Sequence, residues 1–393
     1  MRKISANYIF TGSESPLKNG IITLDESGKI LYIEDTGGNL RETAKLEFYN
    51  GIIVPGFVNA HCHLELSHLK GLIPKQSGLA KFVLELSKHR FDSSEKIQPA
   101  AQQAEEEMLK NGIVAVGDIS NTPDSFEIKA KQKIYYHTFL EIFGIDPDKA
   151  DNIIAKAIKL ATSFKKETGL PYSIVPHAPY SVSPELYSKI SKLVNNKPLS
   201  IHNQESAGEQ LLFKGEKGPL YEALSSLVPD YEKWCPSVTS ALKYTLDQLE
   251  SAEKTLLVHN TYTSEADLSY SEQTRQEKFW VLCPNANLYI ENKLPDISLF
   301  REKKLKIALG TDSLASNNQL NILEEMKTIS HIYPEIPLKE LVSWATMNGS
   351  RALNISDRFG QLEPGKTPGI NLLYDLNLHE LKLTLESKVK RLA

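Results

Sequence analysis

From about residue 53 onward, short β-rich runs alternate with longer helical stretches, and this rhythm constrains the fold more than any other feature of the chain. The runs are Ile52–Val58, Ile113–Asp118, Ile134–Phe143, Tyr172–Pro176, Leu199–His202, Leu256–His259, Phe279–Cys283 and Ile307–Gly310. Helix-like segments lie between them, such as Pro99–Lys110, Asp151–Glu167, Pro184–Leu193, Val238–Glu250 and Asn321–Ser330. Eight strands separated by helices predict a parallel (β/α)8 barrel. A chain of 393 residues has room for such a barrel and one further module.

The ends of the chain supply that module. Tyr8–Phe10, Gly20–Leu24 and Ile30–Ile33 read as short strands, with Ser27-Gly28 as a hairpin turn. After the eighth barrel strand, Leu338–Leu353 reads as a closing helix. Asn371–Leu376 and Leu381–Leu385 then read as strands that return to the N-terminal segment and complete its sheet. The expected division is a small β module from 1–52 plus 361–393, and a barrel from 53–360. The stretch between His202 and Leu256 is long for one strand-to-strand connection. It is either a wall or lid over a substrate, or a helical insertion that only packs.

Composition narrows the function classes. Apolar residues make up 41% of the chain, enough for a large core, and the formal net charge is -4. Without a dense basic block, nucleic acid is not the expected partner. No run approaches the ~18 apolar residues of a membrane span, and the first residues show no apolar signal core. Cys62, Cys235 and Cys283 are widely separated, which fits a reducing compartment better than a disulfide framework. A cytoplasmic enzyme acting on a small molecule is the expectation.

The chemistry is concentrated at the strand ends. His61 and His63 flank Cys62 where the first run stops, and a strand's period of two turns both to one side. The fourth strand delivers His177, the fifth His202, the sixth His259 and the eighth Asp312. Active sites of such barrels lie on that face. A single buried histidine is more often structural. Five of ten histidines on one rim, with an aspartate, point to a metal instead. His61, His63, His202 and Asp312 suit one divalent ion, with zinc first and iron or manganese as alternatives. Bound zinc lowers the pKa of its water to about 7. Asp312 then doubles as a proton acceptor, and His259 orients the hydroxide or polarises the group it attacks.

Glu205, three residues after His202, is placed to hand a proton to a ring nitrogen while hydroxide attacks the adjacent carbon. Capping a helix or pairing with a surface lysine is its bland alternative. Glu209 either braces the same turn or faces solvent. No lysine stands near His177 to bridge a second metal, so His177 is cast as a substrate contact, with a structural histidine held by neighbouring backbone as its alternative.

Together these residues resemble the amidohydrolase superfamily, and more closely its deaminase and chlorohydrolase branch. The carrying motifs are Pro55-Gly56-Phe57-Val58-Asn59-Ala60-His61-Cys62-His63, His177-Ala178-Pro179-Tyr180-Ser181, His202 with Glu205, Val258-His259, Cys283-Pro284-Asn285-Ala286-Asn287-Leu288, and Gly310-Thr311-Asp312-Ser313 with the residues that follow. The resemblance spans nearly the whole chain. It implies a TIM barrel with a small β-sandwich built from both termini. It also implies His61, His63, His202 and Asp312 as metal ligands, Glu205 and His259 as the catalytic pair, and His177 at a substrate position. Relatives usually carry Ala-Asp after the lysine of Leu362-Glu363-Pro364-Gly365-Lys366, where this chain has Thr367-Pro368, which affects only the local geometry of the β module.

Within the branch, His61-Cys62-His63-Leu64-Glu65-Leu66-Ser67 and Phe139-Leu140-Glu141-Ile142-Phe143-Gly144 look most like the aminodeoxyfutalosine deaminases of the alternative menaquinone route. Glu65 and Glu141 then become candidate substrate contacts, with a supporting or packing role equally open to each. Ser316-Asn317-Asn318 is most simply a cap for the following helix. Two other readings stand beside this one. The bond cut could be another C–N or C–Cl bond, in a guanine, pterin or triazine, or the barrel could be a non-catalytic scaffold. Relatives of this type are often homodimers.

Overall fold

The structure, a computed structural model, describes residues 1–393 apart from 13–14, 42–44, 195, 235 and 237–239. The eight barrel strands are Phe57–Cys62, Ile113–Ser120, Tyr135–Ile142, Tyr172–Pro176, Leu199–Asn203, Lys254–His259, Glu277–Leu282 and Ile307–Leu309. They form two four-stranded parallel sheets in chain order. Strands such as Ile113–Ser120 are buried along their whole length, because the barrel interior covers one face and helices cover the other. One continuous apolar core links them to the flanking helices.

The two sheets meet at two thin seams. At one, the first and eighth strands touch through a parallel bridge between Cys62 and Asp312. There Thr311 N donates to His61 O at 3.0 Å. At the other, His202 N donates to His177 O at 2.9 Å. Buried Asn59 reinforces the first seam: its Nδ2 donates to Thr311 Oγ1 at 2.7 Å, and its Oδ1 accepts from Thr311 N at 3.1 Å.

Strands from both ends of the chain share a seven-stranded sheet. Its path runs Lys388–Arg391, Ile370–Tyr374, Leu46–Pro55, Arg2–Ile9, Ile21–Leu24 and Ile30–Glu34, with Leu17–Lys18 beside Arg2–Ile9. Ile4, Ile22, Ile30, Ile53, Leu362 and Ile370 fill its core.

Several expected elements need correction. The run Ile52–Val58 is two strands, Leu46–Pro55 in the terminal sheet and Phe57–Cys62 in the barrel. The break is Gly56, where a Cβ would stand 2.4 Å from Val114 Cγ1 and 2.6 Å from Pro368 O. Leu381–Leu385 is not a strand. Leu381 takes a left-handed φ of 52°, and the strand that pairs with Ile370–Tyr374 is the charged edge Lys388–Arg391. The helix expected over Val238–Glu250 is found as Ala241–Gln248, and its first expected residues lie outside the described ones. Leu338–Ala352 is helical as expected, with one wide turn at Trp344–Asn348. Cys62 and Cys283 are buried and unpaired, while Cys235 falls outside the described residues. Among the described residues, no helix is long and apolar enough to cross a membrane.

A fully buried ion pair fixes the segment that carries His63. Lys129 Nζ lies 2.6 Å from Asp118 Oδ2. Asp118 Oδ1 accepts from Leu64 N at 2.8 Å, and Lys129 Nζ also donates to Ser120 Oγ at 2.6 Å. Removing one partner leaves an uncompensated buried charge. Lys129→Met is therefore expected to lower unfolding free energy by roughly 3–5 kcal/mol in urea titrations, and the double variant with Asp118→Asn to recover most of that loss.

Candidate metal and catalytic centre

All of the singled-out histidines sit where barrel strands end. His61 is the penultimate residue of its strand, and His63 follows that strand and precedes the helical turn Leu64–Leu69. His202 is penultimate in Leu199–Asn203, His259 ends Lys254–His259, and His177 directly follows Tyr172–Pro176. The rim backbone is forced. Gln204, His259, Asn260 and Asp312 have φ of 47°, 74°, 58° and 56°. Such left-handed conformations in non-glycine residues cluster at functional sites.

The donor atoms converge. His63 Nε2 lies 3.1 Å from His61 Nε2 and 3.2 Å from His202 Nε2. Asp312 Oδ1 lies 3.3 Å from His63 Nε2 and 3.6 Å from His61 Nε2. Four ligands placed tetrahedrally at zinc distances of ~2.0–2.2 Å stand about 3.3–3.6 Å apart, so the spacing suits an ion of that size. Donor atoms of His61, His202, His259 and Asp312 also lie within 4.8 Å of one another, so His259 shares the site.

Hydrogen bonds set the tautomers. His202 Nδ1 donates to His177 O at 2.9 Å, and His259 Nδ1 donates to Asn287 Oδ1 at 2.8 Å. A carbonyl oxygen only accepts, so each Nδ1 carries the proton and each Nε2 presents a lone pair. Burial pushes His61 down to about 4, against the pull of Asp312, and also drives His63 and His259 down. These rings are neutral at pH 7. Burial opposes ionisation of Asp312, but its bond to His61 and the surrounding rings outweigh that and hold the carboxyl well below the usual range. The lone pairs of His202 and His259 and the carboxylate of Asp312 therefore converge out of water beside His61 and His63, an arrangement that suits a cation.

Glu205 has the opposite setting. Burial raises its carboxyl to about 8, against the influence of His202, so it holds a proton at neutral pH. Its Oε1 lies 3.8 Å from His259 Nε2. Glu209 is buried and braces the turn, accepting from Gln204 N at 3.1 Å and Glu205 N at 2.8 Å.

Other expectations divide. Glu141 lies beside the centre, with Oε1 3.5 Å from His202 Nδ1, buried and without a hydrogen-bond partner. His177 Nδ1 lies 2.8 Å from Ser181 Oγ, which donates onward to Ala178 O at 3.0 Å, so Nδ1 carries the proton and Nε2 is an acceptor. Glu65, expected as a substrate contact, has both oxygens engaged elsewhere. They accept from Asn121 N, Thr122 N and Ser125 Oγ at 3.0, 3.1 and 3.0 Å, clamping that loop. Ser316–Asn318 does not cap the next helix. Ser316 Oγ donates to Asp312 Oδ2, and Asn317 binds Thr311 O and buried Glu325, while Asn321 is the cap. Asn59, Asn287 and Ser316 are thus positioning residues that sequence reading did not assign. The only signal for Asn287 was its place in the seventh-strand motif.

The long segment after His202 forms a wall. Leu224 and Leu227 of the helix Pro219–Leu227, with Val228 and Tyr231, line a cavity of about 290 Å³ that opens at His177. Purified without chelator, the protein is expected to carry close to one equivalent of divalent metal by elemental analysis. In His202→Ala that content is expected to fall below about a tenth, from the loss of one of four ligands.

The sequence profile of the amidohydrolase family matches residues 52–388. Aminodeoxyfutalosine deaminase of Deinococcus radiodurans is 27% identical over 369 residues, covering 90% of this chain and 85% of that protein. The 5'-deoxyadenosine deaminase of Methanococcus vannielii is 28% identical over 352 residues, covering 84% of this chain and 76% of that protein. Among solved structures, Helicobacter pylori aminofutalosine deaminase in complex with methylthio-coformycin superposes with a TM-score of 0.80 at 25% identity, covering 97% of this chain and 94% of that one.

Proposed function

The chain belongs to the amidohydrolase family, and from that premise we propose that it is a metal-dependent aminohydrolase acting on an adenosine-type nucleoside. It replaces the amino group of the purine ring with oxygen and releases ammonia. Aminodeoxyfutalosine is the favoured substrate, supported by the full-length similarity to deaminases of that name. That assignment puts the enzyme in the menaquinone route, and the buried unpaired cysteines suit the cytoplasm.

One observation carries the reading: buried Glu205, its carboxyl pushed up to about 8 by burial, stands with Oε1 3.8 Å from His259 Nε2 at the edge of the histidine and aspartate cluster. His61, His63, His202 and Asp312 would hold one divalent ion, most simply zinc. When bound, that ion supplies acidified water as a nucleophile at neutral pH. Glu205 gives its proton to the ring nitrogen next to the carbon under attack, so that negative charge does not build up on the ring. His259 presents an unprotonated Nε2, fixed by Asn287, which accepts a hydrogen bond from the attacking water and orients it. Asp312, which starts as the carboxylate, takes one proton of the attacking water and passes it to the amine as the C–N bond breaks, and the other water proton returns to Glu205, restoring the acid. One water is consumed and one ammonia leaves. Glu141 Oε1 and His177 Nε2, both acceptors, are placed to receive sugar hydroxyls.

Ammonia release from aminodeoxyfutalosine or 5'-deoxyadenosine, followed by a coupled assay, tests the proposal. Glu205→Gln is expected to lose roughly 10²–10⁴-fold in kcat while keeping its metal; full activity in that variant would remove Glu205 from the mechanism. Asn287→Leu frees the His259 tautomer and is expected to lower kcat about 10–100-fold at unchanged metal content.

A further inference from the structure

Two residues of the centre hold left-handed backbone, His259 at φ 74° and Asp312 at φ 56°. An asparagine holds each of them. Asn287 Oδ1 accepts from His259 Nδ1 at 2.8 Å, and Asn287 Nδ2 donates to His259 O at 3.4 Å. Asn317 Nδ2 donates at 2.9 Å to Thr311 O, the carbonyl of the peptide that leads into Asp312. Asn287 lies in the helix Pro284–Ile290, and Asn317 in the segment before the helix Ile322–Ile332.

Both asparagines lead back to one carboxyl that the chemistry above does not use. Glu325, on the helix Ile322–Ile332, is fully buried. Its Oε1 accepts from Asn317 Nδ2 at 2.9 Å, and its Oε2 accepts from Asn285 N at 2.8 Å. Asn285 stands in the first turn of the helix that carries Asn287. Its Oδ1 accepts from Thr328 Oγ1 at 2.6 Å, which adds a second tie between the two helices. Burial pushes the Glu325 carboxyl up to about 8, against the bonds from Asn285 and Asn317. A buried carboxyl is costly unless its oxygens are bonded, and here each oxygen holds a different loop.

We propose that Glu325 is a positioning residue: it clamps the Asp312 segment to the helix carrying Asn287, and so sets the spacing of the two groups that act on the attacking water. The inference rests on the aminohydrolase reading above, which gives Asp312 and His259 those tasks. Left-handed backbone outside glycine persists only where the surroundings over-determine it. Without the bond from Asn317, the Thr311 carbonyl is free to turn, and the Asp312 carboxylate turns with it. A carboxyl has two oxygens that accept, whereas an amide has one. In Glu325→Gln the side chain therefore serves Asn285 N or Asn317 Nδ2, and sets an NH2 against the other donor.

Cobalt(II), loaded to saturation, tests this through its visible absorption, which follows the number and geometry of its ligands. The spectrum is expected to shift from that of the wild type in Glu325→Gln, and in the same direction in Asn317→Ala. With zinc saturating, kcat for ammonia release is expected to fall about 10–100-fold in each variant, with KM changed less than about threefold. The double variant is expected within about threefold of the lower single variant, because both substitutions cut one chain of bonds. A brace that serves stability alone would lower the melting temperature and leave the spectrum and kcat as in the wild type. That result, or losses that multiply in the double variant, would overturn the assignment. Asn317→Ala cuts the same link without altering the buried carboxyl, so an unchanged spectrum there overturns it even if Glu325→Gln does not fold. If the wild type releases no ammonia from adenosine-type nucleosides, the substrate reading fails, while the cobalt spectra still judge Glu325.

Discussion

The gathering of buried ring nitrogens and a carboxylate at one point out of water is the constraint around which this molecule is arranged. Ring nitrogens of His61, His63 and His202 meet at 3.1 and 3.2 Å, with an ionised carboxylate 3.3 Å away. Out of water such groups are costly to gather, even though the rings favour the ionised form of Asp312. They stay together because strands of a closed barrel hold them: the first carries His61 and His63, the fifth His202, and Asp312 follows the eighth. The same cluster in a flexible segment would relax into water and lose its capacity to hold a cation.

The anchoring is concentrated where the barrel is least regular. His61 and Asp312 sit at one seam between the two sheets, and His177 and His202 at the other. A regular ladder would point these side chains into the core or outward. Thinning it frees backbone at the rim, which takes a left-handed conformation at Asp312, and His259, at the end of a strand inside one sheet, takes another. Such conformations cost on the order of 1–3 kcal/mol each. Polar side chains lend support: Asn59 spans one seam, Asn203 Nδ2 donates to Asn260 Oδ1 at 2.9 Å, and Ser316 holds Asp312. Stability given up at the rim is supplied by the apolar core below it.

Much of the centre was legible because it depends on short-range rules. A period of two turns His61 and His63 together, and strand ends collect the other histidines on one face. Glu205 stood out through its spacing from His202. What escaped reading depends on contacts that only the finished fold creates. Glu65 meets its partners 56 to 60 residues along the chain, and Asn287 meets His259 across 28. Nothing near either residue marks those partners. The break at Gly56 was hidden because apolar residues continue across it, although the Pro-Gly pair is a turn signal. Leu381–Leu385 misled for the opposite reason: alternation suited a strand, but Leu381 and Leu383 pack against the barrel core from an irregular path.

The most direct test of this account is a crystal structure of the metal-loaded protein, with anomalous diffraction measured at the zinc absorption edge. The account predicts one strong anomalous peak bonded to Nε2 of His61, His63 and His202 and to a carboxylate oxygen of Asp312. No peak among these residues, or an ion held by His259 in place of His63, would contradict it.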